Sequence, residues 1–158
     1  MDTIASYLAD DHHRCDALLT RACASVRAAR WTQAVRELAD YADAIERHLL
    51  LEERIIFPAF EAAIARVAGK AVPPTAEMRA EHLRIRAVVQ RMRNSLHGCD
   101  TVAFFDHADS LALFISLHSE KEEGMLYPLI DRMLQHQREE LVAAMTAFGA
   151  FDAMLSLA

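Results

Sequence analysis

The chain has 158 residues, 53% hydrophobic and 25% charged, which suits one soluble domain with a real buried core. Its formal charge of −6 argues against nucleic acid as a partner, since nucleic acid calls for clustered Lys and Arg. Only four Gly and four Pro, beside abundant Ala, Leu, Glu and Arg, predict an all-α chain of long helices. No run of some 18 apolar residues is present, so no membrane-spanning helix is expected. Met1-Asp2-Thr3-Ile4 lacks the basic and apolar regions of a signal peptide. Cys15, Cys23 and Cys99 show no Cys-x-x-Cys spacing, and Cys15 and Cys23 lie about 12 Å apart along one helix, too far for a disulfide. A cytoplasmic protein with cysteines used as small apolar residues is the expectation.

Residues 4–28 carry an apolar stripe at Ile4, Leu8, Cys15, Leu19, Ala22 and Val26, spaced for a helix with one buried face. His12 occupies the inward slot between Leu8 and Cys15, whereas His13 falls with Asp16 and Thr20 on the wetter side. After a short connection at Ala28-Ala29-Arg30-Trp31, Thr32 is the expected N-cap of a second helix over about 33–67. Its stripe is Leu38, Tyr41, Ile45, Ile55 and Ala59, with His48 and Glu52 in the slots between; Pro58 is expected to kink or loosen it. Gly69-Lys70-Ala71-Val72-Pro73-Pro74-Thr75 breaks the chain, and Thr75 is placed to cap a third helix over about 76–97. There Met78, Ile85, Val89, Met92 and Leu96 point inward, with His82 in the slot after Met78. Asp100 or Thr101 starts a fourth helix, about 101–135, whose stripe is Phe104, Ala108, Leu111, Ile115, Met125 and Leu129, with His118 and Glu122 between. Beyond the joint His136-Gln137-Arg138, the residues Leu141, Val142, Met145, Phe148, Phe151, Met154 and Leu157 form an amphipathic segment interrupted by Gly149. That segment packs on the bundle or against a second copy of the chain as a homodimer.

One stretch occurs twice. His48-Leu49-Leu50-Leu51-Glu52-Glu53-Arg54-Ile55-Ile56-Phe57-Pro58 recurs seventy positions later as His118-Ser119-Glu120-Lys121-Glu122-Glu123-Gly124-Met125-Leu126-Tyr127-Pro128. The same offset lays Asp11-His12-His13-Arg14 over Glu81-His82-Leu83-Arg84. Residues 1–136 therefore read as a bundle of two diverged helix pairs, about 4–68 and 75–136, followed by the segment 137–158. Each pair offers one inward His from its first helix and an inward His and Glu, four apart and on one face, from its second. Glu53 and Glu123 differ from Glu52 and Glu122. Five residues turn a helix by about 500°, which leaves Glu123 about 140° from His118, whereas Glu122 lies about 40° away. Glu53 and Glu123 are expected outside the site, beside it or at the surface.

An ionised carboxylate inside an apolar bundle costs several kcal/mol unless compensated, and no Lys or Arg falls in these stripes near the slots. His12, His48, Glu52, His82, His118 and Glu122 are therefore candidate metal ligands. Six ligands exceed the four of a structural zinc site. Imidazole and carboxylate without thiolate suit iron, with zinc or manganese able to substitute. Two metals bridged by two carboxylates, as bundle cores hold them, leave positions for an oxo bridge and a diatomic ligand.

These residues resemble the hemerythrin-like family, the HHE cation-binding domains. The resemblance covers about residues 5–135 and rests on His12, His48-x-x-x-Glu52, His82 and His118-x-x-x-Glu122, with the Phe57-Pro58 and Tyr127-Pro128 tails. It implies an up-down-up-down four-helix bundle around a non-haem di-iron (Fe–O–Fe) centre. The family implies oxygen, nitric oxide or peroxide as partners, or iron sensing, with a catalase- or peroxidase-like enzyme as the alternative. Oxygen-carrying members have a further His one turn before the third-helix ligand, where this chain has Met78, and an Asp five residues after the last His. Here Glu122, four residues after His118, is the expected bridge in place of that Asp, and the missing His argues against reversible oxygen carriage.

Overall fold

A computed structural model describes residues 3–69 and 73–155, with side chains as far as 148. The helices are α1 (Ile4–Arg27), α2 (Trp31–Leu51), α3 (Phe57–Ala68), α4 (Thr75–His97), α5 (Thr101–Lys121), α6 (Tyr127–Met133) and α7 (Arg138–Leu155). A single π-helical turn, Glu52–Ile56, joins α2 to α3, and another, Glu122–Leu126, joins α5 to α6. No strand occurs among the described residues, and no helix among them is long and apolar enough to cross a membrane. The chain folds as an up-down-up-down helical bundle with an extra C-terminal helix. Within it α1 packs on α2 and α4 on α5, and the pairs meet through α2 against α4 and α1 against α5.

Both helix pairs turn in the same way. α1 ends with Ala29 in the left-handed region (φ 53°) and Arg30 N–H donating to Ser25 O at 2.9 Å. α4 ends with Cys99 at φ 51° and Asp100 N–H donating to Ser95 O at 2.9 Å. A left-handed residue after the last turn satisfies carbonyls that the helix leaves free. The first turn is so short that α2 begins at Trp31 with Arg30 at its N-cap, and no side chain caps it. Thr32 is therefore not the cap. Thr75 is already inside α4, and its hydroxyl donates to Glu61 on α3 at 2.7 Å instead of capping. Asp100 does cap α5, accepting from Ala103 N–H at 3.0 Å.

The π-turns alter which residues face inward. In each, an extra residue enters the helix and the backbone bonds run from i+5 to i, ending with Phe57 N–H on Glu52 O and Tyr127 N–H on Glu122 O. Pro58 and Pro128 follow at the start of α3 and α6, where a missing N–H costs least. The inward stripe shifts by about one residue after each turn. Ile56, Phe57 and Phe60 are buried where the unbroken period pointed to Ile55 and Ala59. Leu126, Tyr127 and Ile130 are buried in place of Met125 and Leu129, and Met125 is 59% exposed. Pro58 thus sits beside a π-turn, a local loosening of the helix.

Two apolar clusters result. One, at the end of the two short turns, holds Leu38, Tyr41, Ile45, Ile85, Met92, Phe104 and Leu111; the other holds Leu8, Ile56, Phe57, Phe60, Met78, Tyr127 and Ile130. α7 closes the second. Met145 is fully buried in it, with Leu141, Val142 and Phe148 against its edge. The helix continues through Gly149 without interruption, whereas the side chains of Phe151 and Met154, and all of Leu157, lie outside the described residues, as do Lys70, Ala71 and Val72. Asp131 of α6 accepts from the first N–H groups of α1, Ile4 at 3.0 Å and Ala5 at 3.3 Å, tying the first helix to the end of the second pair. The three cysteines are free; Cys15 is buried and Cys23 half-buried, but Cys99 is exposed because it occupies the turn.

The left-handed turn makes a testable demand. Ala29→Gly relieves a strained φ and is expected to raise stability by about 1 kcal/mol, read as a higher thermal midpoint. An unchanged or lower midpoint would contradict the turn geometry.

Candidate metal centre

Between the two apolar clusters lies a polar layer. His12, His48, His82 and His118 are each 0–6% exposed, and Glu52 and Glu122 are fully buried. The repeated slots thus bring all six side chains to one place. Glu122 spans it: Oε2 lies 3.2 Å from His12 Nε2, and Oε1 lies 3.0 Å from His118 Nε2. Glu52 Oε2 lies 3.2 Å from His82 Nε2 and 3.7 Å from His48 Nε2. The donor atoms fall into two groups that share Glu122. One comprises Glu52, His82, His118 and Glu122; the other comprises His12, His48 and Glu122; within each, ligand atoms lie within 4.8 Å of one another. His13, His97 and His136 are exposed and His107 half-buried, away from both groups.

Every ring is held from behind by a carboxylate. His12 Nδ1 meets Glu123 at 2.7 Å, His48 Nδ1 meets Asp11 at 3.0 Å, His82 Nδ1 meets Glu53 at 2.8 Å, and His118 Nδ1 meets Glu81 at 2.7 Å. A carboxylate takes the Nδ1 proton and leaves Nε2 with a free lone pair facing the centre, the arrangement that orients metal-binding imidazoles. The four pairs obey the internal repeat, since Asp11 and Glu81 correspond, as do Glu53 and Glu123. Glu53 and Glu123 therefore sit beside the site, each reaching across to a His of the other helix pair. Asp11 and Glu81 went unassigned from sequence, although an acidic residue directly before His12 and His82 was their trace.

Cations stiffen this outer layer. Arg86 grips Glu53 with two bonds of 2.8 and 3.1 Å and holds Glu46 at 2.8 and 3.0 Å. Lys121 bonds Glu81, and Arg14 bonds Asp11. Burial works to raise the Asp11, Glu53 and Glu81 carboxyls, yet bonds from His48, Arg86 and Lys121 hold each below its ordinary value. Tyr127 also reaches the centre. Its buried hydroxyl lies 2.6 Å from Glu52 Oε1, 2.9 Å from Glu122 Oε2 and 3.3 Å from His12 Nε2. Burial, with the two carboxylates beside it, pushes the phenol well above its ordinary value and keeps it protonated.

The residues fit a cation. His48 Nε2, Glu52 Oε2, His82 Nε2, His118 Nε2 and Glu122 Oε1 are buried polar atoms with no hydrogen-bond partner, and all five converge on the centre. His82 Nε2 and His118 Nε2 lie 3.2 and 3.0 Å from a carboxylate oxygen, but a ring lone pair facing such an oxygen makes no hydrogen bond. Orphaned buried groups on this scale are costly, and a cation satisfies them together. The hemerythrin HHE cation-binding domain model matches residues 3–130. The chain belongs to that family. No curated protein and no solved structure matches it. Cation binding by this hemerythrin HHE domain thus follows from the family match together with the buried His and Glu cluster.

Without a cation, protons take its place. Burial alone would lower the His12 and His82 imidazoles, but Glu122 and the neighbouring carboxylates raise them to about 9 and about 10. His118, with His12 and His82, holds Glu122 well below its ordinary value against the opposing effect of burial. A raised imidazole stabilises the fold fully below its unfolded value of 6.5 and ceases to as pH rises through 9 to 10. Chelator-treated protein is therefore expected to lose thermal stability steadily from pH 6.5 to 10, and metal-loaded protein much less. A flat midpoint for the stripped protein over that range would refute the assignment. The outer layer predicts a ranking too: Glu53→Gln or Glu123→Gln should weaken metal binding by about 10–100-fold. Glu52→Gln or Glu122→Gln should weaken it more, and equal losses in calorimetric titration would contradict the geometry.

Proposed function

We propose that this domain binds two iron ions, one within Glu52, His82, His118 and Glu122 and one within His12, His48 and Glu122, and uses them to bind or sense oxygen, nitric oxide or iron itself. The convergence of five unpartnered buried donors supports this reading, because two cations sharing a carboxylate answer all of them. Imidazole and carboxylate donors without thiolate favour iron, with manganese or zinc as substitutes. When bound, such a pair supplies redox equivalents and open coordination positions for a small ligand. The chain's own residues do the rest. The outer carboxylates hold the Nδ1 protons, and the apolar clusters above and below keep bulk water away. Met78, 4% exposed one turn from His82, packs in an apolar cluster at the position where oxygen-carrying members have a further His. We place the protein in the cytoplasm, where its three free cysteines stay reduced.

One observation favours a second reading, a di-iron enzyme of catalase- or peroxidase-like or nitric-oxide-handling type. The Tyr127 hydroxyl donates to Glu52 at an oxygen–oxygen distance of 2.6 Å, which keeps a phenolic proton inside the centre, where an oxidant would need one. Anaerobic reconstitution is expected to give about two irons per chain, with a new visible band on adding oxygen. A single zinc and no iron in protein from iron-replete cells would sink the di-iron reading. Sustained peroxide turnover would decide for the enzyme; a stable oxygen adduct reversed under vacuum would decide for the binding module.

A further inference from the structure

Next to the buried glutamates, the two halves of the centre differ by one hydroxyl. The internal repeat places Phe57 opposite Tyr127. The two rings are set alike, Phe57 stacked on His82 and Tyr127 on His12, both with centroids 5.7 Å apart. Only Tyr127 carries a hydroxyl, and that hydroxyl occupies Glu52 Oε1, Glu122 Oε2 and His12 Nε2. The unpartnered atoms are distributed accordingly. Glu52 Oε2, His82 Nε2, His118 Nε2 and Glu122 Oε1 are all unpartnered, and they belong to the four residues of one candidate group. In the other group only His48 Nε2 is unpartnered, because His12 Nε2 and the Glu122 oxygen facing it already have Tyr127 and each other. The second layer leans the same way. Glu53 and Glu81, behind His82 and His118, are 19% and 16% exposed and gripped by Arg86 and Lys121. Glu123, behind His12, is 39% exposed, and no Lys or Arg pairs with it among the described residues. The position seventy before Arg86 is Asp16, an acid.

We infer that the two metal positions fill in order, first the one formed by Glu52, His82, His118 and Glu122, and that the Tyr127 hydroxyl holds back the second, at His12 and His48. This rests on the two-metal reading. A cation entering either position displaces protons from the imidazoles, but at the first position it breaks no side-chain hydrogen bond to the four facing atoms. A cation entering the second must displace the bonds that Tyr127 makes to His12 and Glu122, and must order a less confined Glu123. Replacing a hydrogen bond to a charged group is worth about a tenfold or larger change in affinity. Tyr127 is thus the residue that separates the two affinities.

Calorimetric titration of chelator-stripped full-length protein with zinc alone tests this without reference to any activity. Wild type is expected to bind zinc in two events at least about tenfold apart, and His82→Ala to remove the tighter one. Tyr127→Phe, which makes the two halves alike at this position, is expected to tighten the weaker event by about tenfold and leave the tighter one in place. The mirror change, Phe57→Tyr, should weaken the tighter event, and far-ultraviolet circular dichroism should match wild type for each variant. One equivalent for wild type and two for Tyr127→Phe would support the inference in its strongest form. Unchanged spacing in Tyr127→Phe would overturn it. So would a weakened second event, because the phenol would then be a ligand and not an obstacle. Retention of the tight event in His82→Ala would overturn the filling order, whereas a single event in wild type and Tyr127→Phe alike, or no zinc binding at all, would remove the two-metal reading beneath it.

Discussion

Two glutamates at zero exposure dominate the energetics of this fold. A bare carboxylate inside an apolar bundle is worth several kcal/mol of destabilisation, and here two lie side by side. Everything around Glu52 and Glu122 answers that cost. Four imidazoles face them, four outer carboxylates fix those imidazoles, and Arg86, Lys121 and Arg14 compensate three of the outer four. The arrangement is concentric: negative centre, imidazole shell, negative shell, positive rim. The rim satisfies the outer carboxylates but touches neither central one. The charge missing from the pattern is at the middle, which is where five polar atoms have no partner.

The internal repeat explains how so many polar groups came to be buried with so few sequence signals. A helix pair that offers His, His and Glu at its mid-height is unsatisfied by itself. Two such pairs complete each other, because Glu53 serves His82 and Glu123 serves His12 across the interface. The polar layer therefore also specifies how the pairs dock. A slip of either pair by one turn would separate His12 from Glu123 and His82 from Glu53, leaving two buried imidazoles without the carboxylates that hold them. The apolar clusters above and below supply burial free energy but tolerate such a slip better; the polar layer selects the register.

Much of this was legible from period alone. The alternation of three and four along 4–28 and 76–97 placed His12 and His82 inward because α1 and α4 are regular throughout. His48 and His118 were legible for the same reason, as each lies before its π-turn. What escaped was whatever depended on a side chain reaching outside its own helix. The partnership of Asp11 with His48 joins residues 37 apart, and nothing in either helix's pattern announces it. Thr32 and Thr75 were plausible caps by residue type, but the tight left-handed turn at Ala29 and the bond from Thr75 to Glu61 determined otherwise.

The five-residue arithmetic is the sharpest case, because it holds in one place and fails in the next. From His118 to Glu123 the backbone is α-helical almost throughout, and five residues carry Glu123 away from the ligand face to meet a His of the opposite pair. From Glu122 to Tyr127 the same count in a regular helix would carry Tyr127 just as far from Glu122. The intervening π-turn absorbs one residue, so i+5 takes the place of i+4, and the Tyr127 hydroxyl comes to 2.9 Å from the Glu122 carboxylate. The Pro that follows favours this local unwinding, since at Pro128 a continuing α-helix would lose a bond and suffer a clash with the preceding turn. An aromatic residue directly before Pro, five after a buried Glu, thus has two readings according to the helix type between them. Only the π-helical reading brings a phenol into the centre, and in this chain it does so on one side alone.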